Sequence, residues 1–240
     1  MRLILAMTLL INAQLSWAMT PFHQHLHSTA QSLSAFYMYE LTEGDERYLS
    51  DFNKHHQDAS LALASSTEKQ KKIFLSRWDK LTPFWKFDNI KGVGLNIDLR
   101  MRLDLREYMT DAYLYAKDLP ADQSVVASKL RDIKVLTSIL SARTMDVVSS
   151  HLGSQSLTEH DRQIESTALA KAVQDNIASL TKMKLAKAQA SALKKVKTQF
   201  NFIEKSLVNH NQVVPYFLVY RSIMRLGKLL DESSQQVAGY

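Results

Sequence analysis

Three histidines at alternate positions, His23, His25 and His27, are the first residues whose spacing suggests chemistry. On a helix His23 and His27 lie one turn apart on the same face, a spacing that lets two imidazoles chelate Zn²⁺, Cu²⁺ or Ni²⁺. His25 points elsewhere. A closed site takes about three or four ligands, and no acidic residue shares that turn, so the competing expectation is an exposed polar face. His55 and His56 are adjacent, about 100° apart around a helix, and are poorly placed to share an ion. A second group is Arg100, Arg102 and Arg106. Arg102 and Arg106 share a helix face and are spaced to clamp a carboxylate or phosphate bidentately. Asp98, Asp104 and Glu107 lie at spacings that can neutralise them instead. Because these charges interrupt an otherwise apolar segment, the arginines are the preferred candidate for a ligand site. A third group, Lys182, Lys184, Lys187, Lys194, Lys195 and Lys197, suits contact with anionic lipid or polysaccharide, or simply a solvated helix face.

The familiar enzyme templates are missing. The chain carries no His-Glu-x-x-His zinc motif, no Gly-x-Ser-x-Gly elbow and no phosphate-cradling glycine loop, and it has only 6 glycines. With no cysteine there can be no disulfide, thiolate metal site, covalent haem or cysteine nucleophile. A binding role without a cofactor therefore ranks above catalysis.

The elements that must position these residues read as helices throughout. Thr20 caps a first helix with Pro21 at its first position, and Phe22, Leu26, Leu33, Phe36 and Tyr37 keep helical spacing to a stop near Glu43-Gly44. Asp45 opens a second helix, with Tyr48, Leu49, Phe52 and Ala59 inward. Ser66 caps a third, carrying Phe74, Leu75, Trp78 and Leu81 up to Pro83. The run from Pro83 to Gly94 reads as an apolar loop tucked against the helices. From Val93 to Leu105 apolar and polar residues alternate, which by itself signals a strand. A helix explains more: Ile97, Met101, Leu105, Tyr108, Ala112 and Tyr115 form one stripe, and Leu95, Leu99 and Leu103 a second, as expected of a helix packed between neighbours. Asp118-Leu119-Pro120 marks an internal boundary. A long helix then runs through Leu152, with Val126, Leu130, Ile133, Leu136, Leu140 and Val147 inward. Thr158 and Asp161 resemble a capping box for a sixth helix bearing Ile164, Leu169, Val173 and Ile177. Leu193, Val196, Phe200, Ile203 and Leu207 give the most regular stripe of all, and Pro215 begins a last helix with Phe217, Tyr220, Met224 and Leu230 inward. The expected fold is all-α: an antiparallel bundle of about eight helices, either one core or two stacked four-helix units divided as 19–119 and 120–240.

The N-terminus reads as a cleavable signal peptide, residues 1–18. Met1-Arg2 is a short positive region, Leu3 to Ile11 is apolar, and Ser16-Trp17-Ala18 offers small residues to a signal peptidase, so the mature chain should begin at Met19. The apolar run is shorter than the roughly 20 residues that span a bilayer. Net charge is +6, and loss of Arg2 leaves +5, a mildly basic protein. Export argues against nucleic acid as the partner and towards the cell envelope.

The segment Tyr39-Glu40-Leu41-Thr42-Glu43-Gly44-Asp45-Glu46-Arg47-Tyr48-Leu49-Ser50-Asp51-Phe52 resembles a helix hairpin of CHASE3-like and related four-helix-bundle extracytoplasmic sensor domains, in which a similar Leu-Thr-Gly-Asp-Glu turn joins the first two helices. Glu43 is an extra residue in that turn. The resemblance implies a bundle that binds small ligands or partner helices. The leading expectation is thus an exported, non-enzymatic binding or accessory protein of the bacterial envelope, acting through protein–protein contacts. A periplasmic small-ligand or metal-binding protein is the alternative, and a helical enzyme comes third.

Overall fold

The computed structural model describes residues 19–81, 99–120, 124–150, 152–209 and 215–235. Among these residues there are eight α-helices and no strand: α1 (Pro21–Leu41), α2 (Glu46–Ala64), α3 (Glu68–Leu81), α4 (Leu99–Lys117), α5 (Val125–Ser149), α6 (Ser166–Thr181), α7 (Lys187–Val208) and α8 (Tyr216–Gln235). Short 3₁₀ turns at Gly153–Ser156 and Asp161–Gln163 lie between α5 and α6. The all-α reading holds. The expected loop from Pro83 to Gly94, and the part of the alternating segment before Leu99, lie outside the described residues. From Leu99 onward that segment is helix.

Local chemistry sets the helix ends. Thr20 caps α1, its Oγ1 accepting from the His23 N–H at 3.4 Å, with Pro21 at the first position, where no N–H is needed. The end of α1 is a Schellman turn: Gly44 N–H donates to Tyr39 O at 2.9 Å and Glu43 N–H to Glu40 O at 3.1 Å. The left-handed position expected of glycine is held by Glu43 (φ 54°), and Gly44 follows at φ 97°. Asp45 then caps α2, accepting from Arg47 N–H at 3.0 Å. Thr67, rather than Ser66, caps α3. It exchanges bonds with Gln70 in both directions, at 2.9 and 3.4 Å, while the Ser66 hydroxyl turns back to Ala62 O.

Helices α1 and α5 are buried on almost every side. Small polar residues line the face along which they meet: Ser34 Oγ donates to Ala30 O one turn back and lies 3.1 Å from Ser141 Oγ, whose hydroxyl proton it can accept. Thr137, Ser138 and Thr144 likewise donate to carbonyls one turn earlier, which satisfies their hydroxyl protons within α5 itself. Around this pair, α2 packs on α1, α3 on α2 and α4, α6 on α5, and the α7–α8 pair closes on α5 through α8. The apolar core is continuous from Phe22 on α1 to Leu230 on α8 and crosses the Pro120 boundary, so the two halves share one core.

Several inward assignments hold. The stripe Leu193, Val196, Phe200, Ile203 and Leu207 is buried throughout, as are Met101, Leu105, Tyr108 and Ala112 on α4. Others do not. Leu75 is 38% and Phe217 40% exposed, and Leu99, from the second stripe of α4, is 43% exposed. On α4 Leu103 is only half-buried, and it is Arg102 and Arg106 that are buried; Leu95 lies outside the described residues. Thr158 and Asp161 do bond as a capping pair, yet the turn they close is the 3₁₀ segment, and α6 begins later, at Ser166.

Candidate functional site

Arg102 and Arg106 lie one turn apart on α4, and both side chains are buried against α1 and α5. Asp146, from α5, sits between them. Arg102 Nη1 donates to Asp146 Oδ1 at 2.8 Å and to the Asp146 carbonyl at 3.1 Å, and Arg106 Nε donates to Asp146 Oδ2. Arg102 Nη2 reaches Glu40 at the end of α1, and its Nη1 also reaches Ser149 Oγ at 2.9 Å. The Arg102 guanidinium lies over the Tyr37 ring at 5.0 Å. Arg106 further faces Asp161 at 3.8 Å, and Arg143 Nη1 donates to the Asp161 carbonyl at 3.0 Å.

Three guanidiniums and three carboxylates are therefore gathered in one dry region. Burial alone disfavours the cations, but the carboxylates outweigh it and hold Arg102 and Arg106 above the ordinary arginine value. Arg143 is the exception: burial pushes it down more than Asp161 and Asp146 pull it up, and its Nε has no hydrogen-bond partner. Burial, with Asp146 next, raises the Tyr37 phenol far above its usual value and keeps it neutral. Chemically this is an internal clasp joining α1, α4, α5 and the Asp161 turn, since the donors aimed at an incoming anion are already bonded to carboxylates of the chain. Arg100 stays exposed and does not join it. The carboxylates that neutralise Arg102 and Arg106 come from Glu40, Asp146 and Asp161, not from the neighbours Asp104 and Glu107 on the same helix. Asp98 lies outside the described residues.

The histidines are interior groups rather than an exposed terminal face, which corrects that expectation. His25 is enclosed, its Nδ1 2.8 Å from Ala59 O and its Nε2 2.7 Å from Tyr108 Oη. These partners fix the ring: Nδ1 carries the proton and Nε2 accepts from the phenol. Burial pulls His25 down to about 4, against the Ala59 hydrogen bond and with a small push from His56. Edge-on contacts to Trp78 at 5.1 Å and Tyr108 at 5.9 Å complete its surroundings. His56 is stacked between Phe52 and Trp78, at 5.5 and 5.0 Å. His27 Nδ1 lies 2.8 Å from Ser138 Oγ on α5, and burial lowers its pKa well below the ordinary value. His23 Nδ1 lies 2.6 Å from Thr20 Oγ1. Among the described residues no group of three or more His, Asp or Glu side chains is placed to hold a metal ion, so His23 and His27 have no third ligand beside them.

An open site lies between α2, α7 and α8, where sequence reasoning placed nothing. A cleft of about 460 Å³ is bounded by Asp51 of α2, Gln199 of α7, and Leu218, Arg221, Arg225 and Lys228 of α8. The three cations recur at one face of α8 and all are exposed. Asp51 accepts a 2.8 Å hydrogen bond from Tyr220 Oη. Beside the cleft, Phe202 on α7 is 66% exposed, Leu218 48% and Phe217 is likewise open to solvent, with the Arg221 guanidinium 5.4 Å above the Phe217 ring. Lys182, Lys184, Lys187, Lys194, Lys195 and Lys197 are also exposed, on or just before α7. No described helix is long and apolar enough to cross a membrane.

The chain matches no family model, no curated protein and no solved structure. Its function has to be argued from this geometry.

The clasp residues Glu40, Asp146, Asp161 and Arg143 were missed because each looks like an ordinary helix-surface or cap charge in sequence. One signal was available: Arg143 and Asp146 interrupt the otherwise apolar and small-residue run of α5 one turn apart. The Arg221, Arg225, Lys228 spacing was equally legible, but only the fold shows that it borders a concavity.

Proposed function

We propose that the protein is an exported, non-enzymatic binding or accessory protein of the bacterial envelope that acts through protein–protein contacts. The observation that carries this reading is the open α7–α8 face, where large apolar side chains adjoin a cleft: Leu218 lines it with Arg221, Arg225 and Lys228, and exposed Phe202 lies one helical turn from the lining residue Gln199. Exposed aromatic residues beside arginines are the composition of protein interfaces, where aromatic and Arg side chains supply most of the binding energy. The buried candidates named from the sequence, by contrast, are bonded within the chain: Arg102 and Arg106 to carboxylates, His25 to Tyr108 and Ala59. That favours an external binding face over an internal small-ligand site. The signal-peptide pattern of residues 1–18 and the resemblance of the Tyr39–Phe52 hairpin to extracytoplasmic sensor bundles support placing that face outside the cytoplasm.

Site-specific photo-crosslinking in cells of the source bacterium tests the reading. A photoreactive residue replaces, one at a time, Phe202, Leu218, Leu61 on α2 and Ile73 on α3, all exposed. Discrete adducts with a polypeptide of the envelope fraction are expected from at least one position. Absence of any adduct, or recovery of the chain from the cytoplasm still carrying residues 1–18, would overturn it.

A further inference from the structure

Resting on that reading, we infer that the α7–α8 cleft takes an acidic segment of a partner protein whose carboxylates are interspersed with apolar side chains. The cleft's charge selects the sign. Arg221, Arg225 and Lys228 face Asp51 as its lining carboxylate, and Asp51 already accepts the Tyr220 hydroxyl. The Arg221 guanidinium lies over the Phe217 ring at 5.4 Å, a contact that restrains the side chain, and a guanidinium can grip a carboxylate bidentately. Exposed Lys194, Lys195 and Lys197 on α7 extend the positive field and should speed the approach of an acidic partner.

Shape and the remaining polar groups argue for a polypeptide over a lipid surface. The cations line a concavity of about 460 Å³, which a flat bilayer face does not enter but a few side chains of a peptide fill. Gln199 offers both a donor and an acceptor, and the Asp51 carboxylate retains acceptor capacity beyond the Tyr220 bond. A peptide backbone supplies N–H donors as well as carbonyl acceptors to match them. Leu218, 48% exposed, lines the cleft with the charges, and Phe202, 66% exposed, lies one turn from Gln199 on α7, so the partner must bring apolar side chains next to its carboxylates.

Fluorescence anisotropy with the whole chain tests this. The probes are a short labelled peptide alternating Glu with Leu and Phe, the same peptide with Lys for Glu, and vesicles of phosphatidylglycerol in phosphatidylcholine. The variants are R221E, R225E and F202S, with K72E on α3 as control, all at exposed positions, with unchanged urea midpoints as the check on folding. The Glu peptide is expected to bind in preference to the Lys peptide. R221E and R225E should each weaken it about tenfold or more, F202S should weaken it without altering its salt dependence, and K72E should leave it unchanged. Equal binding of both peptides, or indifference to R221E and R225E, would overturn the inference. So would binding of vesicles, but not of the Glu peptide, that these charge reversals abolish. Crosslinks from Leu61 or Ile73 without any from Phe202 or Leu218 would overturn the cleft assignment while keeping the protein-binding reading; loss of adducts at all four positions would remove both.

Discussion

Asp146 holds two guanidiniums at once in the buried interior, and that makes it the point of the clasp most sensitive to mutation. Arg102 and Arg106 each donate to one of its oxygens, and both side chains are buried. Removing one partner of a buried ion pair leaves an uncompensated charge and costs about 3–5 kcal/mol. Asp146→Ala should therefore lower the urea unfolding free energy by that order, while Lys171→Ala, whose exposed pair with Asp175 spans one turn of α6, should change it by at most about 0.5 kcal/mol. Replacing the clasp as a whole by apolar residues of similar volume is a different experiment and need not be costly. The second residue-scale consequence concerns pH. His25 has a folded value of about 4 against an ordinary value of 6.5, so between these the unfolded chain takes up the proton first. Stability contributed by neutral His25 is thus complete above about pH 6.5, falls as the pH drops towards 4, and levels below it. Chemical denaturation at steps across that window should show stability falling with acid, and the fall should be shallower in His25→Gln, which keeps the hydrogen-bonding chemistry without the titration. An unaltered slope would assign the acid sensitivity elsewhere.

At the scale of elements, α7 offers a direct comparison of its two sides. Phe200 is the centre of a fully buried stripe, and Lys197 lies on the exposed side. Phe200→Ala removes a large apolar surface and leaves a cavity, a change that costs about 3–5 kcal/mol, whereas Lys197→Ala should stay within about 0.5 kcal/mol. Urea titration of the two variants separates packing from surface directly. The α1–α2 connection makes the opposite kind of prediction, a stabilisation. Glu43 occupies the left-handed position of a Schellman turn at φ 54°, where an L-residue with a side chain is strained by about 1–2 kcal/mol. Glycine relieves that strain but gives up part of the gain through a more flexible unfolded chain. Glu43→Gly should therefore raise the stability by up to about 1 kcal/mol, read as an upward shift of the thermal midpoint.

For the molecule as a whole, the decisive fact is that one core runs across the Pro120 boundary. α1 packs on α5 through Ser34 and Ser141, and the clasp ties Glu40 and Arg102 of the first half to Asp146 and Asp161 of the second. Buried charge pairs split between two segments leave each segment with unpaired ions if it folds alone. Unfolding followed by far-ultraviolet circular dichroism and by tryptophan fluorescence should therefore give coincident transitions. The separate segments 19–119 and 120–240 should lack a cooperative transition. Two resolved transitions in the intact chain would mean that the halves are stacked units after all.

Periodicity and punctuation in the sequence were enough to determine the helices, the Thr20 and Asp45 caps and the most regular core stripe. Helical spacing of apolar residues and the cost of an unsatisfied backbone N–H are local matters, written within about four residues of each position. Leu193 to Leu207 and the Thr20-Pro21 start are read in that way. What a surface position faces is not local. Arg102 and Arg106 have acidic neighbours at salt-bridge spacing on their own helix, yet their carboxylates come from Glu40, Asp146 and Asp161, residues distant in the chain. Only the packing of α4 against α1 and α5 chooses among them, because desolvation makes the buried pairing obligatory and the exposed one nearly worthless. The same holds for His23, His25 and His27, which read as a polar terminal face until α2, α4 and α5 close over them. It holds in reverse for Phe217, whose spacing on α8 points inward but whose place at the start of the helix leaves it beside the open cleft. Burial is a property of neighbours, and the neighbours are decided by tertiary structure alone.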